Sequence, residues 1–83
     1  MTKKTQNIVN EMCNRMDKHA YWYSKGIMKF GELQKSLRRE VKMFDNLRTG
    51  MFFYDLMSEK DFNETILIAE HKMDDIIDNI LNI

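Results

Sequence analysis

The stretch SEKDFNETILIAEHKMDDIIDNILNI, residues 58–83, decides the fold. In it Phe62, Ile66, Ala69, Met73, Ile76, Ile80 and Ile83 follow one another at alternating steps of four and three, the repeat of a helix seam buried against another helix. Ile77 and Leu81 widen the seam into a stripe broad enough to face a core, while Glu64, Glu70, Asp74, Asp75 and Asp78 take the remaining faces. Ser58 offers an N-cap acceptor and Asp61, three residues on, a first-turn acid. The spacing therefore predicts a helix over 59–82 with a defined start, a buried face and a wet face.

Upstream of it, residues 51–57 read MFFYDLM, too apolar for a solvated loop. They are expected to form a short helix, or the first turns of the last one, plugging one end of the fold. Thr49 and Gly50 before them read as a helix stop, glycine being the usual residue at the left-handed cap position. Over 27–48 a second helix is expected, with Ile27, Phe30, Leu33, Leu37, Val41, Phe44 and Leu47 inward and the cations mostly outside that stripe. At 1.5 Å per residue it is a rod of roughly 33 Å, which suits a hairpin of long helices.

A first helix is expected over 5–23 from Ile8, Met12, Met16, Ala20 and Tyr23, with Val9 and Cys13 beside them. Its Asn-rich polar side predicts a frayed first turn, because Asn is a poor helix former. Gly26 either ends this helix or lies inside a longer kinked one, since the apolar register continues from Tyr23 to Ile27 and Phe30. Successive helical residues turn by about 100°, so Tyr21, Trp22 and Tyr23 cannot all face one way.

These readings give an all-α chain: an antiparallel helical hairpin or three-helix bundle, one domain over 1–83, assembled into an oligomer. The sequence has no proline and only three glycines, which agrees with long helices. A chain of 83 residues buries only about 60% of its unfolded surface, so self-association or a partner would add stability. The formal charge is zero but uneven: +2 over residues 1–24, +4 over 25–50, −1 over 51–58 and −5 over 59–83. Antiparallel placement would set the basic middle rod beside the acidic last one.

No catalytic constellation stands out, and the chain reads as a non-enzyme. His19 and His71 lack the ligand neighbours a metal site needs, so no metal and no cofactor is expected. Cys13 sits at an apolar helical position and reads as core. It is the single cysteine, which suits a reducing cytosol. Lys3 and Lys4 are followed by polar residues rather than an apolar core, so no secretory signal is expected, and no apolar run approaches the ~18 residues of a membrane span. The expected role is binding of a macromolecular partner, as an adaptor, inhibitor or accessory factor. Richness in Lys, Asn, Ile, Met and Phe points to an AT-rich genome, such as that of a low-GC bacterium or a phage.

Two sets of residues carry that expectation. Tyr21, Trp22 and Tyr23, with Phe52, Phe53 and Tyr54, bracket the second helix and are the partner-binding candidates, because a small fold has little interior in which to hide six aromatics. The alternative is a nucleotide or nucleic-acid binder using Lys25 and Lys29 beside the first aromatics and Lys35, Arg38, Arg39 and Lys42 along the middle helix. The plainer reading of these four is a solvated face that pairs with the acidic helix.

Overall fold

In a computed structural model the chain forms three helices: α1 (Lys3–Ser24), α2 (Phe30–Phe53) and α3 (Glu59–Leu81). The structure describes residues 1–53 and 56–82, and the side chains of these apart from 45 and 47–53. Each helix packs against both others, giving a three-helix bundle 40 × 19 × 15 Å across its Cα trace. Among the described residues no helix is long and apolar enough to cross a membrane.

Each junction has a local cause. Thr2 accepts the Thr5 amide on its Oγ1 at 3.2 Å, so α1 starts at Lys3, two residues earlier than the sequence pattern suggests, with its first turn capped and Thr5 buried. Gly26 ends α1. Its φ of +75° is a left-handed conformation, the Ile27 amide donates to the Trp22 carbonyl, and the Gly26 amide donates to the Tyr23 carbonyl. That pair of bonds is the Schellman stop, which glycine enters without the steric cost of a Cβ. The chain therefore leaves the register that Tyr23, Ile27 and Phe30 suggest. Ile27, expected inward, is 70% exposed, and α2 begins at Phe30 instead of Ile27.

The expected stop at Thr49–Gly50 is absent: α2 continues through both to Phe53, so much of the apolar segment 51–57 extends α2 and does not open α3. Glycine raises the cost of a helix by only about 1 kcal/mol, which the packing of a long helix outweighs. Ser58 caps α3 as expected, accepting the Asp61 amide on its side chain at 3.2 Å. Leu47, Phe52, Phe53, Tyr54 and Ile83 carry expectations that lie outside the described side chains.

Three contacts fix the topology. The start of α1 lies beside the start of α3, where Thr2 and Thr5 share a depression with Ser58 and Asp61. Asp17 of α1 pairs with Lys72 of α3 at 2.8 Å, and Tyr23 shares a groove with Ile76 and Ile80. So α1 and α3 run parallel, and α2 runs antiparallel to both. The core is Val9, Met12 and Met16 of α1, Leu33, Leu37 and Phe44 of α2, Met57 of the connection, and Phe62 and Ala69 of α3. Phe44 and Phe62 meet edge to face at 6.4 Å between ring centres. Fully burying side chains of this size contributes about 1.5–3 kcal/mol each.

The α3 seam is buried at Phe62 and Ala69 and half-buried at Ile66, Met73, Ile76, Ile77 and Ile80. Leu81, expected to widen the stripe, is instead 67% exposed. Thr65 is fully buried, its hydroxyl donating to the Asp61 carbonyl at 2.8 Å and so needing no partner on another helix. Glu40 is also buried, and Arg15 of α1 reaches it with two bonds of 2.9 and 3.0 Å. Hydrogen bonding to Glu40 raises the Arg15 pKa above its ordinary value, against the opposing effect of burial, with attraction to Glu40 and Glu11 adding to the rise.

Candidate functional site

The three consecutive aromatics splay as helical geometry requires, which changes their standing as a partner site. Tyr23 turns inward, packs against the core and meets the Phe30 ring edge-on at 5.9 Å. Trp22 is half-buried beside His19, with ring centres 5.5 Å apart, and Lys18 Nζ lies 5.1 Å from its centroid. Only Tyr21 of the three is exposed, with Lys25 Nζ 5.5 Å from its ring. Thus Tyr23 is half-buried against the core and leaves only part of its ring to the surface: it sits at the same helical angle as Thr5, Met12 and Met16, the buried face of α1. The second aromatic group, Phe52, Phe53 and Tyr54, lies outside the described side chains.

The cations divide in the same way. Lys25 belongs to the α1 cap and covers Tyr21, and Lys29 supplies the carbonyl that accepts the Leu33 amide at the start of α2. These two are not part of the basic group further along α2. Lys35, Arg38, Arg39 and Lys42 are all exposed and line one shallow depression of about 600 Å³ together with Met43 and Asn46. Their spacing of three, one and three residues places them on a single face, because side chains three and four apart on a helix are neighbours.

Among the described residues none of the four is held in an ion pair. The basic rod does lie beside the acidic one, and a cleft between α2 and α3 is lined by Arg38 and Lys42 on one side and Glu70 and Asp74 on the other. Yet among the described residues the interhelical pairs, Arg15–Glu40 and Asp17–Lys72, both run from α1. The α2 cations thus face the acidic helix across the cleft, where pairing was expected, without a close ion pair to it among the described residues. They project from the outer face of α2, while the carboxylates of α3 begin at the rim of that face. The stretch 35–42 thus carries four exposed cations in a protein of zero net charge.

Along α3, with Asp17 of α1 at its edge, runs an open groove of about 730 Å³ that the sequence pattern does not reveal. Leu67 and Ile68 are exposed in it, with Ile76 deeper, and Glu64, Asp75 and the Asp17–Lys72 pair stand around it. In the sequence Leu67 and Ile68 fall off the core stripe of the heptad seam, which leaves two large apolar residues outside the predicted buried face.

His19 Nδ1 is buried without a hydrogen-bond partner among the described residues. Among the described residues no three His, Cys, Asp or Glu side chains converge as a metal site would require. Cys13 is a free, half-buried thiol packed against the core. Comparison with protein-family models, with curated proteins and with solved structures finds no match to this chain.

Proposed function

We propose that this protein is a binding module without catalytic activity, and that it works by holding a carboxylate-rich surface of a partner protein against the outer face of α2. The observation that carries this reading is the set of four exposed cations, Lys35, Arg38, Arg39 and Lys42, on one helix face with no ion pair to any of them among the described residues. Met43 supplies an apolar contact inside the same patch, and Arg38 and Arg39 can each meet a carboxylate with two parallel bonds. An adaptor, inhibitor or accessory role fits a rigid bundle that presents one charged rod.

Nucleic acid is the second reading, favoured by the same unpaired arginines. Against it stand Glu70 and Asp74 at the edge of the patch, which would repel an extended row of phosphates, whereas a partner protein can place its carboxylates short of that edge. Fluorescence anisotropy at low salt with a labelled glutamate-rich helical peptide and with a labelled oligonucleotide separates the two. Reversing two charges with Arg38→Glu/Arg39→Glu removes two attractions and adds two repulsions. At about 0.5 kcal/mol for each exposed charge interaction this amounts to roughly 2 kcal/mol, or about 30-fold in affinity. Peptide binding that falls by this factor supports the reading. Binding of neither probe, or equal binding by the variant, removes it.

A further inference from the structure

We infer that the acidic surface taken up by α2 is the α1–α3 groove of a second copy of this chain, so that the protein assembles head to tail. The inference rests on the reading of α2 as the working surface and names its partner. Both halves of the contact are on the same molecule. One is the basic face of α2 with Met43 in its patch; the other is the open groove along α3 with Leu67 and Ile68 exposed in it and Glu64 and Asp75 beside them. The Asp17 carboxylate is already engaged by Lys72, so Glu64 and Asp75 are the carboxylates left to meet the incoming cations.

The dimensions agree. The groove spans residues 64 to 79, which at 1.5 Å per residue is roughly 22 Å, and the basic patch from residue 35 to 46 is roughly 17 Å long. One helix face therefore fits within the groove over about three turns. Placement decides the symmetry. In a three-helix bundle the groove between two helices looks away from the third, so the basic face and the acidic groove lie on opposite sides of the molecule. A contact between different patches on opposite sides is heterologous and repeats from copy to copy, giving open chains in place of a closed two-fold dimer. A single helix face makes a small interface, below the ~1,200 Å² of stable complexes, so assembly is weak, concentration-dependent and sensitive to salt.

The experiment is light scattering on the full chain over a concentration series at low and high salt, with two charge-reversed variants. Wild-type protein is expected to rise in mass with concentration at low salt and return toward the monomer at high salt. Arg38→Glu/Arg39→Glu and Glu64→Lys/Asp75→Lys are each expected to stay monomeric. An equimolar mixture of the two should associate, because the intact basic face of the second variant meets the intact groove of the first. All four positions are exposed except that Arg38 borders the α2–α3 cleft, so circular dichroism should show both variants folded as wild type. A wild-type chain that stays monomeric at the highest concentration overturns the inference, as does association that survives in both variants alone. If the monomeric chain still binds the glutamate-rich peptide through Arg38 and Arg39, the reading of α2 stands and only the second copy is excluded. If it binds neither, both fall.

Discussion

Arg15 and Glu40 sit 25 residues apart in sequence, and replacing Arg15 with Met tests the α1–α2 interface directly. Met keeps the apolar stem and removes only the charged fork. The Glu40 side chain is 10% exposed and would lose both of its bonds to Arg15. Breaking a fully buried ion pair in this way costs about 3–5 kcal/mol. Here the Arg15 side chain is 42% exposed, so water can approach the abandoned carboxylate, and the cost should fall to roughly half of that, about 1.5–2.5 kcal/mol. For a domain of this size each kcal/mol lowers Tm by about 4–8 °C, so a drop of roughly 6–20 °C is expected in a thermal melt. Adding Glu40→Leu should recover most of the loss, because an apolar pair of similar volume is often neutral at a buried site. The pH behaviour has a definite sign. Arg15 has its pKa raised on folding, so its contribution is fully present below its ordinary value and is lost only in strong alkali. The gap between wild type and Arg15→Met should then stay flat between about pH 7 and 9. A variant within ~0.5 kcal/mol of wild type would refute the claim that this pair ties α1 to α2.

Tyr23→Ala should cost about 2–4 kcal/mol by urea denaturation, because it removes a ring packed on the core, while Tyr21→Ala should stay within ~0.5 kcal/mol. The two glycines of the α1–α2 region should respond in opposite directions. Gly26→Ala, which has open space around it but a φ of +75°, is expected to destabilise by about 1 kcal/mol in a thermal melt. Gly31→Ala, helical and equally unobstructed, should stabilise by about 0.5 kcal/mol. Phe44→Ala should cost about 3–5 kcal/mol, a large share of a stability of order 4–12 kcal/mol, and urea denaturation would read the loss.

Much of this architecture is legible from local chemistry. The Ser58 cap and the step of four and three through Phe62, Ala69 and Met73 place α3, because both signals lie within a few residues of one another. The start of α2 is harder to read. Tyr23, Ile27 and Phe30 keep a helical register in sequence, but the left-handed Gly26 turns the chain and puts Ile27 in water. Gly50 misleads in the other direction, since a glycine tolerated inside a long helix leaves the same local signal as a cap. Glu40 looks like one more solvated acid on a charged helix, and only the long-range approach of Arg15 makes it a buried one. The basic stripe from Lys35 to Lys42 is visible as spacing alone. Whether its charges are neutralised depends on how α3 is rotated about its axis, and no residue pattern within α2 reports that rotation.

The outer face of α2 as the working surface is the claim on which the functional account depends. Titrating isotope-labelled protein with the glutamate-rich peptide and following the backbone amides by NMR tests it most directly. The account predicts shifts concentrated on residues 35–46, with Arg38, Arg39 and Lys42 among the largest. Shifts centred on Tyr21 and Trp22, or spread evenly over the bundle, would contradict it.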